Sequence, residues 1–394
     1  MAGRFGQVGS SPTYELFDRV RSMRGRGVEV LDLASGEPLF DSPAHVVTAA
    51  VAALEAGRTR YAPSRGLPEL LEAISAKLKD ENAVVTDPAT DIVVTPSAKH
   101  GLFVALAAVL DPGDEVLIPT PGWVSYAAMA RLLGAVPVQV PMAPEDGFRL
   151  SRSRLAAAVT SRTRALVVNT PHNPTGHVLD EAEAEEIAGF VHDHDLVVIT
   201  DEIYEKINFG ARPHLSMASV PGCADRTLTV NGFSKSYAMP GWRLGFVAGP
   251  ADIVAAVLAV HQHTVGSAGT FVQHGGVAAL GGPQRAVSDM TAEYAEHARL
   301  TVGALAAIPG VTCPAPEGTF YAFPDIRGTG WSNSVDFARW LLEETAVAVT
   351  PGSVFGAGGE GHVRVAFSAP SAVLTEALRR WRSAAPSACP RSEA

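Results

Sequence analysis

The sequence has few lysines, few cysteines, no run of basic residues and no long apolar stretch. Only five of its 394 residues are lysines, so most of the 31 basic residues are arginines. The formal charge of -10 and the lack of a basic cluster argue against sequence-independent nucleic-acid binding. The longest purely apolar run, residues 102–110, is far shorter than the ~20 residues of a membrane helix. Residues 1–12 contain no apolar segment of the kind that secretory signals carry.

The three cysteines, Cys223, Cys313 and Cys389, are widely separated and odd in number. No two of them have the C-x-x-C spacing of zinc or redox sites. We therefore expect reduced thiols, no metal site and a cytoplasmic enzyme.

Short β-branched runs alternate with helical stretches between residues 89 and 250. Such runs, bounded by Pro, Gly and Asp, predict an α/β protein with a mostly parallel, buried central sheet. In such sheets the chemistry is found beyond the carboxyl ends of the strands. The predicted strands are residues 92–95, 115–118, 136–140, 165–169, 196–201, 227–231 and 244–248, with a helix over 98–109.

After about residue 280 the pattern changes to alternating segments, such as 319–323 and 363–367, which predict an antiparallel or mixed sheet. We predict a smaller α+β domain that both chain ends form. The predicted division is a flexible arm (1–12), a small domain (13–45 and 285–385), a large domain (46–284) and a disordered tail (386–394).

One glycine-rich segment, residues 356–361, matches the dinucleotide fingerprint G-x-G-x-x-G letter for letter. That fingerprint requires a helix after it, whereas residues 362–367 alternate like a strand. We interpret the segment as a turn between strands and expect no NAD binding.

Lys235 lies in a polar, glycine-containing turn just after a predicted buried strand. Partial desolvation there, and a second cation at Arg243, would lower the lysine pKa and make its amine nucleophilic. A solvated surface lysine is the alternative. We place Lys77 and Lys79 on an exposed helix face.

Six segments together resemble the fold-type I, class I/II aminotransferases, which use pyridoxal 5'-phosphate (PLP). The resemblance runs in order from about residue 12 to residue 385. It includes the lysine segment at 230–245, N-P-T-G at 173–176, D-E-x-Y at 201–204, H-V-R-V-A-F-S at 362–368, G-E-P at 36–38 and Y-x-x-x-x-G-L at 61–67.

The resemblance implies a PLP-dependent aminotransferase that moves an amino group between an L-amino acid and a 2-oxo acid. Lys235 forms the aldimine with the cofactor and shuttles the proton, and Asp201 pairs with the pyridine nitrogen. Tyr204 and Asn173 bind the phenolic oxygen, and Trp123 stacks on the ring. From the residues alone, Asp201 could instead cap a helix and Trp123 could belong to the core.

The same resemblance assigns an anion site for the cofactor phosphate. Its members are Ser97, the amides of Ala98 and Lys99, Ser234 and Arg243, and Ser97 also suits an ordinary helix N-cap. Tyr61 reaches this phosphate from a neighbouring subunit, which implies a homodimer.

For the substrate, Arg364 is implied to bind the α-carboxylate as a bidentate partner. Gly36 and Asn173 lie beside the same carboxylate. Leu39, Gly122 and the absence of a cation near Ala107 argue against specificity for dicarboxylates.

Two other functions remain open at this point. Elimination, replacement or cyclisation on an amino acid could use the same residues, because the cofactor supplies the electron sink. A PLP-binding transcriptional regulator would need a DNA-binding domain, and too few residues precede the first family-like segment.

Overall fold

The computed structural model describes residues 12–385, with side chains from residue 18 onward. The predicted arm and tail therefore lie outside the described residues, except for Pro12, which begins the first helix. The division into a small and a large domain stays a prediction.

The described residues form three sheets. The strands are β1 Leu31–Asp32, β2 Ile92–Thr95, β3 Glu115–Thr120, β4 Val136–Pro141, β5 Thr163–Asn169, β6 Val197–Asp201, β7 Thr227–Gly232, β8 Gly245–Ala248, β9 Tyr321–Ala322, β10 Val347–Ala348, β11 Thr350–Pro351 and β12 Val363–Ala366. β2 to β8 form a seven-stranded sheet in the order β2-β8-β7-β6-β5-β3-β4. β8 alone runs in the direction opposite to the other six strands of this sheet. The predicted mostly parallel sheet is confirmed.

Helices cover the sheets. They are α1 Pro12–Gly25, α2 Ala44–Glu55, α3 Pro68–Asn82, α4 Ala98–Val109, α5 Ser125–Leu132, α6 Arg152–Ala158, α7 Glu181–Asp193, α8 Ala251–Thr264, α9 Thr270–Gly281, α10 Arg285–Ala306, α11 Ser334–Thr345 and α12 Ser371–Ala384. None of the helices in the described part of the chain combines the length and apolar composition that crossing a membrane requires.

The central strands are apolar because helices pack on both faces of the sheet. Every residue of β2, β3, β7 and β8 is buried. α4 contributes Leu102, Val104 and Leu106 to the same core as the sheet residues Val116 and Val230. This continuous burial is what a parallel sheet with covered faces requires.

The two small sheets join residues from both ends of the chain. β1 pairs with β10 in parallel, and β12 lies between β11 and β9, antiparallel to both. The antiparallel strands predicted at 319–323 and 363–367 are therefore present, although β9 is reduced to two residues.

The glycine-rich segment at residues 356–361 lies between β11 and β12, as predicted for a turn. Its glycines allow the segment to approach Thr120 closely. A Cβ at Gly356 would lie 2.7 Å from an atom of Thr120, and a Cβ at Gly358 would lie 2.6 Å from another. The amide of Gly122 also donates to the carbonyl of Phe355. The segment thus packs against the loop that leads to Trp123.

The prediction that Lys77 is solvent-exposed is wrong. Its side chain is 6% exposed, and its ammonium forms an ion pair with the buried carboxylate of Glu205. Lys77 faces the core because it shares one face of α3 with Leu70, Ile74 and Leu78. Lys79 is exposed, as predicted.

Candidate active site

Polar residues meet at the carboxyl edge of the central sheet. β5, β6 and β7 are parallel neighbours that end at Asn169, Asp201 and Gly232. β8 runs the other way and begins at this edge, where Gly245 pairs with Gly232. Lys235 follows β7 by three residues. The sheet therefore brings residues from distant parts of the chain to one place.

The amine of Lys235 lies in a largely desolvated environment. Its Nζ donates to the carbonyl oxygen of Gly36 and lies 5.9 Å from the ring centroid of Tyr204. Burial, followed by the nearby Arg364 guanidinium, lowers the pKa of Lys235 to about 8. An amine with this pKa is partly neutral near pH 7 and can act as a nucleophile or a base.

Asp201 is a buried carboxylate, 4% exposed, at the end of β6. The hydroxyl of Tyr126 donates to its Oδ2 at 2.7 Å, and the amide of Ile203 donates to its Oδ1 at 3.3 Å. Burial raises the pKa of Asp201 to about 6, although both hydrogen bonds lower it. A charged carboxylate in this place is stable only with a cationic partner close by.

Arg364, on β12, is a buried guanidinium that other site residues surround. Its Nη1 donates to Oδ1 of Asn173 at 3.1 Å, and its Nη2 donates to the carbonyl of Ala34 at 3.0 Å. The guanidinium carbon lies 4.2 Å from the ring centroid of Tyr321. Its Nε is buried and has no hydrogen-bond partner among the described residues. Such an orphaned donor suits an anionic ligand.

Tyr204 and Tyr321 connect this guanidinium with the lysine. Their hydroxyl oxygens are 3.0 Å apart, and both residues are buried. A Cβ at Gly36 would lie 2.8 Å from the Tyr321 hydroxyl, so only glycine leaves room there. With glycine at this position, residue 36 packs against Tyr321 while its carbonyl accepts from Lys235.

The N-terminus of α4 forms a second anion site. Ser97 caps the helix and has a φ of 94°, a conformation that functional sites often retain despite its strain. A Cβ at Gly245 would lie 2.4 Å from the amide nitrogen of Ala98, so β8 can approach only because residue 245 is glycine. Burial, followed by the Arg243 charge, lowers the pKa of Lys99. The first amides of a helix together with the Arg243 guanidinium favour a phosphate.

Trp123 and Tyr126 form the wall between these two sites. Their rings pack edge to face with centroids 5.3 Å apart. The ammonium of Lys99 lies 5.0 Å from the Trp123 ring centroid. The arrangement combines a buried carboxylate, a flat aromatic wall, a phosphate cradle and a nucleophilic amine. These features suit an aromatic cofactor with a basic ring nitrogen, an aldehyde and a phosphate.

Residues 28–380 match the family model described as aminotransferase class I and II. The chain belongs to this family. Its members depend on PLP, so the donor set above and the family agree on the cofactor. The chain is a PLP-dependent aminotransferase, as the resemblance of the six segments implied.

Relatives cover nearly the whole aminotransferase chain. It is 44% identical to the aspartate aminotransferase of Musicola paradisiaca over 378 residues, 96% of this chain and 94% of that one. It matches the crystal structure of the aromatic aminotransferase from Pyrococcus horikoshii with a TM-score of 0.89 at 44% identity, covering 93% and 98% of the chains. It also matches the structure of Thermus thermophilus aspartate aminotransferase in the presence of maleate. The TM-score is 0.92 at 37% identity, and the match covers 97% of this chain and 99% of that one.

The structure brings most of the predicted site residues of the aminotransferase together. Lys235, Tyr204, Asn173, Gly36 and Arg364 form one connected group through the contacts above, and the Asp201 charge acts on the pKa of Lys235. Ser97, Ala98, Lys99 and Arg243 lie around the α4 N-terminus. Ser234 is buried in the lysine turn. Tyr61 does not join them within one subunit, because its side chain is 98% exposed.

Sequence reasoning missed Tyr126 and Tyr321. Both touch predicted site residues, yet their partners lie 75 and 117 residues away. A local signal existed for Tyr126, because residues three apart on a helical turn lie on one face and Trp123 was already a candidate. Tyr321 lies within the segment 319–323 that was interpreted only as a strand.

Proposed function

We propose that Lys235 carries the cofactor and moves the proton at the substrate Cα during amino transfer. PLP supplies the electron sink for that proton transfer when it is bound. The observation that supports this role is the buried amine of Lys235, with its lowered pKa, between Gly36, Tyr204 and Arg364. No other lysine among the described residues combines this burial with a nearby carboxylate and guanidinium.

The other side chains hold and orient the cofactor. Asp201 would pair with the ring nitrogen, since its buried carboxylate forms no ion pair with any of the described residues. Tyr204 and Asn173 would bind the phenolic oxygen, and Trp123 would cover the ring. Ser97, the amides of Ala98 and Lys99, Ser234 and Arg243 would bind the phosphate. Each assignment uses donors or charges that are already in place.

Arg364 would bind the α-carboxylate of the amino acid. Its unpartnered Nε and its two Nη atoms form a planar set of donors that matches a carboxylate. Gly36 and Asn173 lie beside it. Because the carboxylate would be fixed near Lys235, the Cα–H bond of the substrate would be held next to the base.

We further propose that an acidic amino acid such as L-aspartate is a substrate. The region of Ala107 offers no cation, but the exposed side chain of Lys99 places its ammonium over Trp123, within the site. Relatives at 35–44% identity are named aspartate aminotransferases, and the Thermus structure with maleate concerns a dicarboxylate. Lys99 would supply the charge that a second carboxylate requires.

The test compares L-aspartate with L-phenylalanine, each with 2-oxoglutarate as acceptor. Lys99→Met should raise the KM for aspartate about tenfold or more and leave that for phenylalanine nearly unchanged, because only aspartate loses a charged partner. Lys79→Met, an exposed lysine, is the matched control. Equal effects on both amino acids would argue against the role of Lys99. Ammonia without a new amino acid would indicate elimination instead of transfer.

We also propose a cytoplasmic homodimer in which Tyr61 of one subunit reaches the phosphate of the other. Three apolar side chains of α2, Val47, Val51 and Leu54, are exposed on one face, and Tyr61 is almost fully exposed. Contiguous exposed apolar groups are typical of a subunit interface. The free thiols of Cys223 and Cys313 agree with a reducing compartment.

A further inference from the structure

Tyr126 is a buried phenol that no role above explains. It lies at the start of α5 and is 2% exposed. Its hydroxyl donates to Oδ2 of Asp201 at 2.7 Å. Tyr126 follows β3, whereas Asp201 ends β6, and β5 lies between these two strands in the sheet. The hydrogen bond therefore spans the end of β5. Because both groups are buried, this hydrogen bond restricts the orientation of both side chains.

The direction of the hydrogen bond follows from the chemistry of the two groups. An ionised carboxylate can only accept, so the phenol donates. Burial, followed by the Asp201 charge, raises the pKa of Tyr126 well above its ordinary value. The phenol therefore keeps its proton and remains a donor near neutral pH.

The phenol also distinguishes the two oxygens of Asp201. Oδ2 accepts from Tyr126, while Oδ1 has only the longer bond of 3.3 Å from the amide of Ile203. The ring of Tyr126 packs edge to face against Trp123. Tyr126 thus contacts Asp201, which we propose pairs with the ring nitrogen of the cofactor, and Trp123, which we propose covers the cofactor ring.

We propose that Tyr126 is a positioning residue that fixes the Asp201 carboxylate and stabilises its charged form, so that the proton stays on the pyridine nitrogen. The inference rests on the proposed role of Asp201. A hydrogen bond to the anion favours a carboxylate–pyridinium pair over a neutral acid–pyridine pair. Without the phenol, the shared proton moves toward Asp201, and the ring withdraws electrons less strongly.

The test removes only the hydroxyl. Tyr126→Phe keeps the ring and hence its packing against Trp123. In holoenzyme reconstituted with PLP labelled with nitrogen-15 in the ring, the nitrogen signal of the variant should move from the pyridinium range toward that of neutral pyridine. The dissociation constant for PLP should rise about tenfold, the loss expected for one hydrogen bond to a charged group. The kcat should fall, while the KM for the amino acid, which depends on Arg364, should stay nearly constant.

Tyr237→Phe is the matched control. Tyr237 is also a buried tyrosine, but its hydroxyl donates to Gln284 at 3.2 Å. A general loss of stability would affect both variants alike, whereas only Tyr126→Phe should move the nitrogen signal. Should Tyr126→Phe bind no PLP, the titration of Asp201 by carbon-13 NMR in the apoenzyme provides the readout. The pKa of Asp201 should be higher in the variant than in the wild type.

Two outcomes separate this inference from the proposed function. If Asp201→Asn moves the nitrogen signal and Tyr126→Phe does not, the role of Tyr126 is wrong and that of Asp201 stands. If neither variant moves it, the proposed pairing of Asp201 with the ring nitrogen is itself wrong. An unchanged pKa of Asp201 in the apoenzyme variant would likewise overturn the role of Tyr126.

Discussion

The proposed chemistry depends on one amine, that of Lys235, whose surroundings lower its pKa. Burial makes the largest contribution to the lowered pKa of Lys235, and Arg364 the next. Arg364 therefore has two effects, because the same charge that suits a substrate carboxylate also favours a neutral lysine. This dual effect is visible only in three dimensions, since residues 235 and 364 are far apart in the sequence.

At this scale we predict a pH dependence for cofactor attachment. A lysine attacks an aldehyde only as the neutral amine, so the rate at which apoenzyme attaches saturating PLP should rise with pH and level off above about 8. Stopped-flow absorbance measures this rate. In Arg364→Leu the midpoint should move to higher pH. A midpoint near that of an ordinary lysine, about 10.4, would contradict the predicted environment of Lys235.

At the scale of elements, the sequence predicts the central sheet correctly but does not predict the buried polar contacts. The helix predicted over residues 98–109 is α4, and the predicted strands agree with β2 to β8 within two residues at each end. Short apolar runs identify buried strands because burial continues on both faces. The Lys77–Glu205 and Tyr126–Asp201 contacts join residues that are 128 and 75 positions apart. No local pattern encodes such pairs.

The ion pair of Lys77 connects α3 to the turn after β6. Asn82 completes it, accepting from Lys77 and donating to Oε2 of Glu205 at 3.0 Å. Lys77→Met should reduce the free energy of unfolding by about 3–5 kcal/mol, because it leaves the Glu205 charge buried and unpaired. Urea denaturation measures this loss. The double variant Lys77→Met/Glu205→Gln should recover much of it, and no recovery would indicate that the loss comes from packing.

The same ion pair predicts how stability responds to acid. Burial would raise the pKa of Glu205, but Lys77, His214 and Asn82 together lower it to about 2, from an ordinary value of 4.5. A lowered carboxyl pKa contributes stability above 4.5 that is lost as the pH falls toward 2. Glu205→Gln should therefore lose less stability than the wild type over this interval. Parallel curves for the two proteins would contradict this assignment.

At the scale of the whole molecule, we propose that the active site needs a second subunit. Tyr61 is exposed in the described chain and lies apart from the site residues. The sequence resemblance implies a role for Tyr61 across a subunit interface.

Mixed dimers provide the test. We predict that Tyr61→Ala and Lys235→Ala proteins are each nearly inactive and that refolding them together restores about a quarter of wild-type activity. In mixed dimers one site combines the intact Lys235 of one subunit with the intact Tyr61 of the other, and about half of the dimers are mixed. If the mixture stays as inactive as its components, Tyr61 belongs to the site of its own chain or to none.

The most direct test that Lys235 carries the cofactor is a peptide map of holoenzyme treated with borohydride, which fixes PLP to the lysine that carries it. With only five lysines in the chain, the modified residue can be assigned without ambiguity. We predict that mass spectrometry finds the added mass on Lys235, and that Lys235→Ala shows none. Modification of Lys99, Lys206 or any other lysine in place of Lys235 would contradict it.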